Sequence, residues 1–197
     1  MISELLEMYD FIESKRDIKY FFVEKTRLDC KINIDSNGKF LGLTILENME
    51  EYSPIAIRSS QIFPFLLCDK QDYVLAIPMQ NKTKNLEIMQ CEAKERNKAF
   101  IQLINDYEKY LNENNKDQSI VKAIFLFYSH PDEIEKAKKA FSENYLKNKN
   151  GSYEKSCNKI INITFEVDNQ NVLTDDVFEF WQQKNMTENI SKSIKGY

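Results

Sequence analysis

The side chains able to do covalent chemistry are few. The chain has one histidine, His130, so a Cys–His or Ser–His nucleophilic pair would have to use it. It stands in Ser129-His130-Pro131-Asp132, where Ser at the cap, Pro and an acid mark a helix start. A histidine there reads as a helix-entry residue with its ring in solvent. The four cysteines, Cys30, Cys68, Cys91 and Cys157, lie far apart and form no CxxC. A zinc site needs ligands converging in close pairs, so none is expected. Widely spaced cysteines in an ordinary domain read as reduced, cytoplasmic thiols. Only four glycines occur, at 38, 42, 151 and 196, and none builds a phosphate-cradling loop. The acid pairs Glu50-Glu51 and Asp175-Asp176 are explained by a polar turn and by a helix dipole. The expectation is a protein that is not an enzyme and needs neither metal nor cofactor.

Binding chemistry is better represented. Arginine is scarce, with only Arg16, Arg27, Arg58 and Arg96. Arg58 lies in AIRSSQIFPFLL with Ser59, Ser60 and Gln61 beside it. Such a loop offers donors for phosphates and base edges. On the residues alone the plainer reading is a structural loop whose Arg pairs with a nearby carboxylate. A second feature is the window from Lys136 to Lys159, where seven lysines meet only Glu143 and Glu154, a local net charge of +5. Lys136, Lys139 and Lys147 can share a helix face there, either as a solvated face or as point charges against phosphates. The whole chain is acidic, at net −4 and pI about 5.3. That is not the balance of a free-standing DNA-binding protein.

The elements that must position these residues can be read from periodicity. Residues 2–13 predict an amphipathic helix on Ile2, Leu5, Leu6, Tyr9 and Ile12. Strand character follows at 20–24, 28–34 and 39–46, with Asn37-Gly38 as a hairpin turn. DYVLAI at 72–77 reads as another strand, closed by Pro78. Met89, Ala93, Asn97, Phe100, Ile104, Tyr107 and Leu111 make one stripe along a helix over 86–112. Residues 119–129 are apolar enough for a buried helix or a strand, and periodicity does not decide. A helix over 131–148, a strand over 160–167 and a last helix capped by Thr174 complete the order. The class is α+β: a small antiparallel sheet with a β-hairpin, packed against a long amphipathic helix and shorter helices. Residues 1–184 read as one domain and 185–197, which are polar, as a linker or connection. No secretion signal opens the chain, and no apolar run approaches a membrane span.

The run IAIRSSQIFPFLLCDKQDYVLAI (55–77) resembles a stretch of the large subunit of type I-C CRISPR Cascade, the Dvulg subtype. The matching residues are Arg58, Ser59, Ser60, Pro64, Phe65, Leu66, Asp69, Tyr73, Val74 and Leu75. The surroundings are similar in order and spacing. They are the Leu- and Tyr-rich first helix, the turn in NIDSNGKFLGL, the helix with KAFIQLINDY, and ITFEVDNQNVLTDDVFEFWQQ. The likeness is to the N-terminal part of such a subunit. Two features depart from it: KRDIK replaces a Pro/Gly-rich connection, and Leu67-Cys68 stands where an aromatic precedes Asp69.

The resemblance implies a non-catalytic cytoplasmic subunit of a crRNA-guided antiviral complex, which recognises the protospacer-adjacent motif in duplex DNA. The implied partners are the target duplex and its displaced strand, crRNA-bearing Cascade subunits, and the helicase-nuclease of the interference step. No membrane is among them. The candidate DNA-binding residues are then Arg58, Ser59, Ser60, Gln61, Lys70, Lys136, Lys139 and Lys147. The scarce arginines and acidic balance leave two other readings. One is an interaction module that docks Cascade subunits or the helicase-nuclease; the other is a stand-alone Cascade inhibitor.

Overall fold

The computed structural model describes residues 20–56 and 62–195, the last eight by backbone alone. The first predicted helix and the Arg58–Gln61 loop lie outside the described residues.

Strands β1 (Val23–Ile34) and β2 (Phe40–Pro54) form the antiparallel hairpin that Asn37-Gly38 announces. The Asp35 carboxylate accepts the N–H groups of Asn37 and Lys39, each at 2.9 Å, and its carbonyl accepts that of Gly38 at 2.9 Å. Gly38 sits at φ +76°, and a Cβ there would overlap the Phe127 backbone and lie 2.7 Å from the Leu126 carbonyl carbon. Only glycine meets both demands. The strand pairing continues farther than the alternation suggests, through a bulge between Leu28 and Cys30 that places Asn48 at φ +55°.

β4 (Asn162–Val167) inserts beside β1, parallel to it, with Cys30 opposite Ile163 and Ile34 opposite Val167. β3 (Cys68–Lys70) and the two-residue β5 (Gln170–Asn171) both pair antiparallel with β4, giving the order β2-β1-β4-β3. Asp168 and Asn169, both at positive φ, turn β4 into β5. The sheet is therefore mostly antiparallel, with one parallel pair at its centre.

Among the described residues five helices accompany it: α1 (Gln71–Val74), α2 (Leu86–Glu113), α3 (Ser119–Ser129), α4 (Pro131–Tyr145) and α5 (Asp175–Lys195). The observed class is α+β with a long helix, as the patterning predicts. α2 buries Met89, Ala93, Phe100, Ile104, Tyr107 and Leu111 of the predicted stripe, and Leu103 besides. Asn85 caps it by accepting the Ile88 N–H at 2.9 Å. The ambiguous 119–129 segment is helix. Val121, Ala123, Ile124 and Phe127 are its buried residues, and Phe127 meets Phe165 edge-on at 6.0 Å. Each such fully buried aromatic contributes on the order of 2 kcal/mol of transfer free energy. α5 runs through position 185, where the polar composition reads as a connection; Asn185 is 5% exposed and donates to the Trp181 carbonyl.

Two predicted details are corrected. Residues 72–77 are not a strand. The strand is the short β3 just before, and Gln71–Val74 is a turn of helix whose backbone is satisfied by side chains. Asn97 donates to the carbonyls of Tyr73 (2.6 Å) and Val74 (3.0 Å), and the Tyr128 hydroxyl also donates to Val74 (2.9 Å). Tertiary partners override the β propensity of Tyr-Val-Leu. The second correction concerns Ser129, which does not cap α4. Its hydroxyl donates to the Phe125 carbonyl at 2.9 Å, closing α3, and His130 takes the cap position with Pro131 as first helical residue.

Candidate nucleic-acid interface

The basic window is built as a fixed ribbon. α4 ends at Tyr145, three residues earlier than the periodicity predicts, so Lys147 lies beyond the helix and not on its face. Lys147 instead bridges to Tyr153 across a tight turn. Within that turn the Ser152 carbonyl accepts from Asn148, Asn150 accepts from Ser152, and Gly151 adopts φ +81°. The strand-like stretch after the turn is stitched to residues 71–80. The Cys157 N–H donates to Pro78 at 2.8 Å, and its carbonyl accepts from Gln80 at 2.7 Å. Gln71, 0% exposed, donates to the Lys159 carbonyl at 3.1 Å and accepts the Ile161 N–H at 3.0 Å. The lysines of 147–159 are thus carried on backbone with satisfied hydrogen bonds, not on a free loop.

Two adjoining clefts flank this ribbon. The first, about 390 Å³, lies between Ala76–Pro78, α2 and α4, and gathers Lys94, Lys138 and Lys155 against Glu154. The second, about 330 Å³, is lined by Glu135, Lys138, Lys139, Ser142, Glu143 and Tyr153. Lys138 and Ser142 belong to both. Lys138 is held by Glu135 at 2.9 Å. Among the described residues, Lys94, Lys139 and Lys155 are exposed and form no ion pair. Tyr153 is 51% exposed, which leaves a ring face open beside those cations. Cations without local partners next to an open aromatic ring suit a ligand that carries both phosphate and base.

The predicted site residues divide. Arg58, Ser59, Ser60 and Gln61 lie outside the described residues, but their flanks are fixed. The Ile55 carbonyl accepts from the Trp181 indole at 2.9 Å, and Phe63 and Pro64 line a 220 Å³ groove with Ala99, Gln102, Asp106 and Lys184. That groove and the lysine clefts are on different flanks of α2. Lys94 and Asp106 stand about 120° apart around the helix and about 18 Å apart along it. Lys136 is an exposed i,i+3 partner of Glu133 at 2.6 Å, so its charge is already compensated. Glu133 also accepts the Phe40 N–H at 2.8 Å; Lys136 first and this bond second hold its carboxyl below the usual range. Lys139 lines the second cleft, and Lys147 heads the ribbon. Lys70 ends β3 opposite Asn162, near where Gln71 grips Lys159, at the other end of the same ribbon.

Sequence reasoning missed Lys94, Lys138, Lys155 and Tyr153. The charge window already contained Lys138 and Lys155. Nothing local marks Lys94, which α2 brings in from before the window. Of the arginines, Arg27 pairs with Asp29 at 3.0 Å, and Arg96 with Asp72 at 3.1 Å and Glu92 at 3.6 Å. Among the described residues no His, Cys, Asp or Glu cluster can hold a metal ion, and no helix is long and apolar enough to cross a membrane. His130 is exposed in a shallow cleft with Asn37, Lys39, Asp132 and Glu133.

What the fold defines is an α+β unit carrying a preformed lysine-lined surface. The family model described as CRISPR-associated protein (Cas_Csd1) matches residues 5–196, nearly the whole chain. The chain belongs to that family of CRISPR-associated proteins. No curated protein matches it.

Proposed function

We propose that this chain is the N-terminal, DNA-contacting part of a type I-C Cascade large subunit, and that it works by binding and not by catalysis. In this reading the Arg58 loop reads the protospacer-adjacent motif. The ribbon lysines hold the phosphate backbone, and guide pairing outside this chain reads the rest of the target. The observation that carries the proposal is the set of Lys94, Lys139 and Lys155, without an ion pair among the described residues, around two clefts with Tyr153 open beside them. Membership in a CRISPR-associated family supports it. The separation along α2 suits two contacts on one duplex, since about 18 Å is roughly half of a helical turn of about 34 Å. The proposed partners are target duplex DNA, its displaced strand, the crRNA-bearing subunits and the helicase-nuclease.

The test is salt-dependent binding of the assembled complex to duplexes with and without the flanking motif. Arg58→Ala should lower discrimination between them by about 5- to 150-fold, the value of roughly 1–3 kcal/mol for a good base contact. Lys139→Gln with Lys155→Gln should weaken both duplexes alike and flatten the salt slope by about 0.9 per phosphate lost. Unchanged discrimination and slope would refute the reading.

A second reading is favoured by one specific observation. Both described arginines are consumed by internal ion pairs, and the chain is net acidic. A module that docks other Cascade subunits or the helicase-nuclease would need no free arginine. It would leave DNA affinity of the complex unchanged in both variants and lower its stability instead.

A further inference from the structure

β2 is the outer strand of the sheet, and among the described residues β1 is its only strand partner. It is 15 residues long. An open strand edge presents a row of unpaired N–H and C=O groups, and proteins blunt such edges with lysines, prolines, short strands or a covering element. β2 has no Lys or Arg, and its one proline, Pro54, is its last residue. The bulge at Asn48 and the Glu133 carboxylate on the Phe40 N–H close only parts of it.

The side chains repeat the message. Leu43 and Ile45 stand opposite Ile32 and Cys30, which are fully buried. β2 therefore continues the apolar face of the sheet. Yet Ile45 and Met49 are each 42% exposed and Leu41 is 59% exposed. The helical layer reaches β2 at Phe40, where Glu133 of α4 accepts the N–H, and leaves these three side chains exposed. Glu47, Glu50 and Glu51 give the strand a charge of −3. Glu51 is engaged by Lys31 at 2.9 Å, while Glu47 and Glu50 are exposed.

From this edge we infer that β2 is completed in the working protein by an extended segment of another polypeptide, alternating apolar and basic side chains. Main-chain hydrogen bonds to β2 supply the pairing, its apolar residues cover Leu41, Ile45 and Met49, and its cations meet Glu47 and Glu50. A second copy of this chain fits worse, because antiparallel β2–β2 pairing would bring acids against acids. The inference is independent of the DNA reading, which uses Lys94, Lys139, Lys155 and Tyr153 and no residue of β2.

Hydrogen exchange at residues 41–49 of the full chain tests it. The probe is a ten-residue peptide alternating valine and lysine, with a valine–glutamate peptide as control. Outward amides of 41–49 should exchange rapidly in the free chain and slow several-fold with the valine–lysine probe. Glu47→Lys with Glu50→Lys should weaken that probe at least tenfold, and the control should give no protection. Four results would overturn the inference. They are slow exchange in the free chain at every concentration (the edge is covered from within), protection that rises with chain concentration (a second copy), no protection at millimolar probe, and equal protection by both peptides.

Discussion

Three glycines in this chain make a controlled experiment on one contact. Gly38→Ala places a methyl group into the backbone of Phe127 and Leu126, where neither neighbour has a flexible end to withdraw, and does so at φ +76°. Gly151→Ala meets the same backbone demand, at φ +81°, with nothing within 4 Å. Gly42→Ala meets neither. The left-handed conformation costs a residue with a Cβ about 1–2 kcal/mol. Gly151→Ala should therefore lose that amount. Gly38→Ala should lose it and also the cost of separating the hairpin turn from the C-terminal end of α3, about 1–3 kcal/mol more by analogy with overpacked sites. Gly42→Ala should fall within about 0.5 kcal/mol of the parent. Urea unfolding of the three single variants, followed by far-UV circular dichroism with a common m-value, measures all three. Equal losses for Gly38→Ala and Gly151→Ala would refute the close packing of the turn on α3, and with it the account of how the hairpin is anchored.

Five other outcomes are expected. Gln71→Leu strands two backbone groups, at Lys159 and Ile161, and should cost about 2–4 kcal/mol in the same unfolding assay while loosening the lysine ribbon. Thiol labelling under native conditions should modify one cysteine quickly, because Cys91 is exposed while Cys30, Cys68 and Cys157 are buried; a second fast thiol would contradict the core described here. Burial pushes the Cys30 thiol from 9.0 to about 12, so the stability this neutral thiol contributes is complete below pH 9 and declines as pH rises toward 12. Glu133 has the opposite sign: its lowered pKa contributes stability above its ordinary value of 4.5, lost as pH falls through the folded value. Glu133→Gln should flatten that acid limb in pH-dependent melting. Trp181, the single tryptophan, is fully buried with its indole on the Ile55 carbonyl and rings of Phe63 and Phe65 at 5.9 Å. Its emission should be blue-shifted in the free chain and should change when motif-bearing DNA binds the complex, since its neighbours flank the Arg58 loop.

Local rules carried the hairpin and the helices. Asn37-Gly38 with alternating Cys30, Ile32 and Ile34 specified β1, the turn and the start of β2, because each signal depends on neighbours only. The α2 stripe was legible for the same reason, with Asn97 as its one odd member. Asn97 lies on the inner side not to fill the core but to satisfy the carbonyls of α1. The segment 72–77 was misread because its β-prone residues are held by Asn97 and Tyr128 from distant helices. The parallel pairing of β1 with β4 left no trace in either strand's own pattern. For the site, the charge window located the ribbon but not its shape. Lys147 moved off the helix when α4 ended at Tyr145, Lys136 was compensated by Glu133, and Lys94 arrived from a helix that composition does not link to the window.

The position of β4 between β1 and β3 has a consequence for biosynthesis. The central pairing of the sheet joins Ile34 to Val167, and 127 residues separate Ile34 from the first residue of β4. At about 5–20 residues per second, the ribosome needs roughly 6–25 s to make that stretch. Throughout that interval β1 has β2 on one side and, among the described residues, no strand on the other, with Cys30, Ile32 and Ile34 lacking the β4 side of the layer that finally buries them. The emerging chain should therefore be a strong client for chaperones that bind exposed apolar strands, and its folding should be gated by translation of the last third, not by formation of the early hairpin.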